Sequence, residues 1–337
     1  MSAGTAPAAP AALGADRLAA AELRDVTLRD GLQLTGRTLP VERRVGVVRA
    51  LLAAGVPQVE VGSMARPDLV PPMAGSTEVL AALTPEEHAR SWVWVATPRH
   101  VRRAADVGAT GFQYCLSVSD SHNRANVGRT ADESMDGLGE ALEAAASVGG
   151  RVQLCLATAF SCPFEGRTDP ERVLSLVADA RAAGTCDVVL ADTIGQAVPA
   201  DVTALLGAAV PLLAGRGLVF HGHDTWGLGV ANALAAVAAG ATTVDGALGA
   251  LGGCPFAPGA SGNTASEDLL FALRPGWLTP AGFHDLVALA GGLLDELGEA
   301  SRSRAARGAA SPSDVFPWAL PAQPEAVSAG GGRPASG

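Results

Sequence analysis

The chain has 337 residues, 48% of them hydrophobic, enough for one large domain or two modest ones. Its formal net charge of −10 and pI of about 5.1 argue against duplex nucleic acid or an anionic membrane as the main partner. Five cysteines, at 115, 155, 162, 186 and 254, lie scattered without a Cys-x-x-Cys pair, as reduced thiols do in a cytosolic protein.

Residues 1–20, MSAGTAPAAPAALGADRLAA, are rich in alanine and proline. They lack an apolar core behind a basic start and are poor in arginine for an organellar leader, so they read as a flexible tail. Eight short apolar runs follow: LRDVTL (23–28), PQVEVG (57–62), SWVWVA (91–96), GFQYCLSV (111–118), RVQLCLAT (151–158), DVVLAD (187–192), GLVFHGH (217–223) and TTVDGAL (242–248). Alanine-rich helical stretches separate them, at 41–54, 76–83 with 85–90, 99–107, 131–148, 170–183, 200–214 and 226–239, with another at 264–273. Eight strand–helix repeats predict an α/β protein whose parallel sheet is closed by crossover helices, a (β/α)8 TIM barrel. An open doubly wound sheet is the competitor, but no Gly-x-Gly-x-x-Gly follows the first strand. The apolar stretch ALAAVAAGATTVDGALGALGG is broken by polar residues, so no membrane span is expected. FHDLVALAGGLLDELG (283–298) predicts one more helix beside the barrel. Beyond it the sequence is low in complexity and reads as a disordered tail, in which only VFPWAL (315–320) has the character of a docking segment. The expected organisation is a tail at 1–20, a catalytic barrel at 21–300 and a second tail at 301–337.

In such a barrel the chemistry gathers at the C-terminal ends of the strands. Strand 1 ends in Arg29-Asp30-Gly31, strand 2 carries Glu60, and strand 6 ends in Asp192. Strand 7 ends in His221-Gly222-His223-Asp224, and the loop after strand 8 contains Cys254 and Asn263. Residues two apart on a strand point to one side, so His221 and His223 can present imidazoles to one ion. Asp30 adds an anionic oxygen and Asn263 an amide oxygen, a set suited to Mg2+ or Mn2+, although ligand type alone leaves zinc and cobalt open. Glu60 lies in an otherwise apolar strand and needs a partner, for which Arg29 is a candidate. Asp192 reads equally as a turn-capping group. In SHNRANVGRT (121–130), read as a loop, His122, Asn123 and Asn126 are candidates to orient substrate, and Arg124 or Arg129 to meet an anion. Cys254 by itself reads as a small buried residue at a turn.

These segments together resemble the 3-hydroxy-3-methylglutaryl-CoA lyases, within the wider metal-dependent barrel lyases and Claisen-type synthases. The matching residues are TLRDGLQ (27–33), VEVGS (59–63), VPPM with STEVL (70–80), SVSDSHNRANV (117–127), CPFEG (162–166), ADTIGQ (191–196), HGHDTWGLGVAN (221–232) and GGCPFAPGASGN (252–263). The resemblance implies a dimeric enzyme that cleaves an acyl-CoA to acetyl-CoA and a 3-oxo acid. It implies Asp30, His221, His223 and Asn263 as ligands of Mg2+ or Mn2+. It gives functional roles to Arg29, Glu60, Asp192, His221 and Cys254, with substrate contacts at Arg29, Gln33, His122, Asn126 and Thr193. Asp192 is expected to take the hydroxyl proton, with relay through His221, Arg29 to stabilise the thioester oxygen, and Cys254 to return a proton. The chain departs from the family at Leu28, at Leu34-Thr35-Gly36 and in SMARPDL (63–69), which leaves the acyl substituent open. A condensing synthase shares Arg29, Asp30 and the histidine pair, but Cys254 and the simple C-terminal tail count against it. A non-enzymatic metal-binding protein has no need of Arg29, Asp192 and Cys254 together.

Overall fold

The computed structural model describes residues 15–253, 262–311, 313 and 315–320. Eight parallel strands close into a barrel: β1 (Glu22–Asp25), β2 (Gln58–Ser63), β3 (Ser91–Val95), β4 (Gly111–Ser117), β5 (Arg151–Ala157), β6 (Asp187–Asp192), β7 (Gly217–Gly222) and β8 (Thr243–Gly246). Closure is made by β1 against β8, with Glu22 opposite Thr243 and Asp25 opposite Gly246. Each run that alternation identified as a strand is one, and the connecting helices pack outside, the arrangement that covers both faces of a parallel sheet. Among the described residues no helix is long and apolar enough to cross a membrane.

Local chemistry sets the helix starts. Thr97, Asp169 and Thr279 each precede a proline and accept a backbone N–H of the first turn through their side-chain oxygen. The helix Pro98–Ala105 is followed by Gly108 at φ 97°, where a Cβ would lie 2.9 Å from the His88 ring.

Three segments differ from the expectation. The first strand stops at Asp25, and Thr27–Gly31 winds into a single π-helical turn. The Asp25 carboxylate accepts the Thr27 N–H at 3.0 Å and breaks the strand. The Gly31 and Leu32 N–H groups then reach back five residues to Val26 and Thr27. Residues 120–127, expected as loop, form a helix capped by the Ser119 hydroxyl. Part of the C-terminal segment read as a tail is ordered. Arg304–Ala309 is helical, its start tied to Asp268 through the Ser303 hydroxyl and the backbone of Arg304 and Ala305. Trp318 packs edge-on against Phe271 and Phe283, so VFPWAL docks. The polar composition of 301–314 hid the helix because its anchors are hydrogen bonds to Asp268. At the other end, Ala15–Ala20, within the stretch read as a tail, is a short helix.

The barrel interior beneath the mouth is polar. Arg24 grips Asp245 through two hydrogen bonds, of 2.9 and 2.7 Å, and also donates to Gln153, which in turn donates to Asp187. Gln113 donates to Glu60 at 2.7 Å. A fully buried guanidinium is stable only with this full set of partners. Arg24→Met leaves Asp245 without its cation, so urea unfolding is expected to show a loss of about 3–5 kcal/mol. A loss under about 1 kcal/mol would mean that the pair holds nothing together.

Candidate active site

At the C-terminal mouth, β1 and β7 bring three side chains to one point. Asp30, His221 and His223 each offer a ligand atom, and these atoms lie within 4.8 Å of one another. Asp30 is the hub. Its Oδ1 accepts from Arg29 at 2.5 Å, and its Oδ2 lies 2.9 Å from Asn263 Nδ2 and 3.2 Å from His223 Nε2. Burial alone would raise its pKa. The Arg29 charge and His223 more than offset that, and hold the carboxyl well below the usual carboxylate range.

His223 and Asn263 also bridge through their backbones, although 40 residues of chain separate them. The Asn263 amide nitrogen is committed to Asp30 and to the Leu251 carbonyl, both at 2.9 Å, and its oxygen is buried without a partner. The His223 Nδ1 is likewise buried and unpartnered. A buried amide oxygen without a donor is costly and fits a cation beside Asp30. One carboxylate, two imidazoles and one amide oxygen make a set that divalent cations accept. His221 commits one ring nitrogen to Asp245 Oδ2 at 3.0 Å and leaves the other for a ligand, the carboxylate–histidine–metal arrangement. Burial pulls the His221 pKa down, but Asp245 and Asp30 raise it by more. Gly252 completes the fit. At φ 110° it lets the chain pass so close that a Cβ would stand 2.5 Å from Asn263 Nδ2.

Beside this cluster lies a cavity of about 70 Å³. Arg29, Gln33, Glu60, His122, Asn126, Thr193 and His221, all singled out in the sequence, line it. Arg29 sits over the Trp94 ring at 5.4 Å, with its Nε 4.0 Å from Glu60 Oε2. Burial raises the Glu60 pKa, against the pull of Arg29 and Arg24. The 33.8 kDa chain also has a larger groove, of about 1140 Å³, between Phe271 and the 301–309 segment, but Asp30 and the histidine pair face the smaller cavity.

Asp192, expected to take a proton from substrate, is placed differently. It is absent from the cavity wall, and its two oxygens accept the N–H groups of Gln196 and Ala197, both at 3.0 Å. It closes the turn that presents Thr193, the capping role weighed for it in the sequence. Of the 121–130 segment, Asn123 is turned inward, holding Ser117 N–H and the 129–134 backbone and hydroxyl rather than facing the cavity. Cys254 lies outside the described residues. Its flanks do not: Gly253 borders the cavity, and the Gly262 carbonyl accepts the Asp224 N–H.

The sequence reading passed over Asp245, Trp94, Gln113, Gln153, Cys115 and Cys155. A signal was present for four of them, since strands 4 and 5 both carry Gln-x-Cys at matching positions, QYC (113–115) and QLC (153–155).

With this geometry in view, comparison with known proteins is decisive. The profile of the HMGL-like family matches residues 20–291. The chain belongs to that family. It is 39% identical over 275 residues to an (R)-citramalyl-CoA lyase of Chloroflexus aurantiacus, covering 79% of this chain and 86% of the relative. It is 34% identical to a hydroxymethylglutaryl-CoA lyase of Pseudomonas mevalonii, covering 85% and 95%. A solved HMG-CoA lyase from Acinetobacter baumannii, in complex with coenzyme A and 3-methylmalate, superposes with a TM-score of 0.80 at 32% identity, covering 89% of this chain and 97% of that one. This HMGL-like chain is therefore a carbon–carbon lyase with retro-Claisen chemistry of the metal-assisted kind.

If Asp30 is the hub of a cation site, Asp30→Asn abolishes saturable Mn2+ binding in calorimetric titration. Asn263→Ala weakens it roughly 10-fold or more, on the scale of losing a supporting group at a metal. Wild-type affinity in both variants would contradict the assignment.

Proposed function

We propose that the protein cleaves 3-hydroxy-3-methylglutaryl-CoA, or a close 3-hydroxyacyl analogue, to acetyl-CoA and an oxo acid, with Mg2+ or Mn2+ held by Asp30, His221, His223 and Asn263. The observation that carries this reading is the Asp30–His221–His223 cluster at the edge of a cavity lined by Arg29 and Glu60. Asp30, His221, His223 and Asn263 would hold the cation, which when bound would supply Lewis acidity toward the oxygens of the substrate.

Arg29 is held between Asp30 and Glu60 and stacked on Trp94, so its guanidinium is fixed before substrate arrives. That suits stabilisation of negative charge on the thioester oxygen as the C2–C3 bond breaks. Glu60 takes over the proton-accepting role first read for Asp192. It lines the cavity and has one oxygen on Gln113, and burial raises its pKa against the pull of Arg29 and Arg24. Cys254 is the proton donor to the acetyl-CoA enolate carbon. A thiol with an ordinary pKa of about 8.5 is mostly protonated at neutral pH, as that step requires. Both flanks of the segment that bears it lie beside the histidine pair.

A second acyl substituent has its own support. The (R)-citramalyl-CoA lyase relative is 39% identical, and the chain departs from the lyase pattern at Leu28 and Leu34-Thr35-Gly36. The same bond cleavage in citramalyl-CoA gives acetyl-CoA and pyruvate. Mn2+-loaded protein incubated with both thioesters is expected to release acetyl-CoA, with acetoacetate from one and pyruvate from the other, and the ratio of kcat/KM ranks the substrates. Release from neither thioester would overturn the reading. Cys254→Ala is expected to lower kcat by about 10²–10⁴-fold, the usual contribution of a positioned acid. Unchanged turnover would remove Cys254 from the proton-donor role.

A further inference from the structure

Two thiols in the cavity wall have no part in the cleavage reaction. Cys115 on β4 and Cys155 on β5 are direct partners in the parallel ladder, and both line the cavity beside Arg29 and Trp94. We propose that Cys115 and Cys155 form a redox-reactive dithiol, which a hydroperoxide closes into a disulfide across β4 and β5.

The backbone geometry permits the bond. Neighbouring strands lie about 4.7–4.9 Å apart, inside the roughly 4.4–6.8 Å range of Cα separations that disulfides span. Both side chains point into the barrel, since each is two residues on from an inward glutamine, Gln113 or Gln153, whose contacts lie in the interior. They are 5% and 7% exposed, and that exposure opens on the cavity, which gives a small oxidant its route.

The surroundings divide the roles. The neighbouring Cys155 thiol lowers the Cys115 pKa in spite of burial, and the Arg29 charge and the Trp94 indole add to this. Cys155 is correspondingly raised, first by Cys115 and then by burial. Placement agrees: β4 lies next to β3, whose Trp94 carries Arg29, while β5 is one strand further away, so Cys115 is assigned as the nucleophile and Cys155 as the resolving thiol. Cys186 has no such setting, since burial and Asp187 push it up to about 12.

The Cys115 thiolate attacks one peroxide oxygen, the O–O bond breaks, and the departing oxygen takes a proton to leave as water or an alcohol. Cys115 is then a sulfenic acid. Cys155 attacks its sulfur, the S–S bond forms, the S–O bond breaks and the leaving hydroxyl takes the Cys155 thiol proton to depart as water. Two thiols have been oxidised by two electrons and the peroxide reduced by two. A small dithiol reverses the change by exchange. The bridge replaces both thiols next to Arg29, and it forms independently of which acyl-CoA the enzyme cleaves.

The test uses the full chain exposed to stoichiometric hydrogen peroxide, denatured, alkylated and digested without reductant. The expected product is a peptide pair joined through Cys115 and Cys155, two hydrogens lighter than the separate peptides and separated again by dithiothreitol. In Cys155→Ser, Cys115 is expected to stop at the sulfenic acid and take a dimedone label. Recovery of Cys115 and Cys155 fully alkylated, with oxidation confined to Cys254 or another cysteine, would overturn the proposal. So would a dimedone label on Cys155 in Cys115→Ser as strong as that on Cys115 in Cys155→Ser, because it would remove the division of roles.

Discussion

The site depends on one buried carboxylate. Asp30 is 7% exposed, and an isolated charge there would be driven to the neutral form. Arg29 on one oxygen, with Asn263 and the His223 ring on the other, keeps it ionised. The same contacts gather elements distant in sequence: the π turn after β1, the end of β7 and the return of the chain after β8. Two of the groups on Asp30, His223 and Asn263, are also ones that would share a cation with it. Asn263 already has its oxygen bare and its nitrogen tied back.

Beneath the mouth, the polar interior transmits this constraint. Arg24, on β1, holds Asp245, on β8, and Asp245 in turn orients His221, on β7. Glu60 and Gln113 do the same for Arg29 from the side of β2 and β4. A register irregularity between Glu60 and Gly62 sits where β2 must aim that carboxylate into the cavity. Three buried carboxylates, Asp30, Glu60 and Asp245, face two guanidiniums, Arg24 and Arg29. A divalent cation would add positive charge beside these carboxylates, while the raised pKa of Glu60 comes first from its burial. The apolar cluster outside the barrel supplies stability, and the polar interior supplies position.

Much of this was legible in the chain itself. Alternation marked all eight strands, because a strand buried on both faces is a short apolar run between turn signals. His221 and His223 were legible because a period of two puts them on one side of β7. Pattern reading failed where a side chain bonds to nearby backbone. Asp25 stops β1 early, Ser119 caps a helix over 120–127 where a loop was expected, and Asp192 spends its carboxylate on a turn. Each is a polar side chain competing with regular structure, a choice that composition does not record. Asp245 and the cysteine pair were missed for a different reason. Asp245 carries no motif, and the repeated Gln-x-Cys gains meaning only once register sets Cys115 opposite Cys155.

The account stands on a single cation position defined by Asp30, His221, His223 and Asn263. Anomalous diffraction from crystals grown with saturating Mn2+ tests it most directly. A single peak is expected in contact with an Asp30 oxygen, one nitrogen of each histidine and the Asn263 amide oxygen. A peak elsewhere in the chain, or a site left empty at saturating Mn2+, would contradict it.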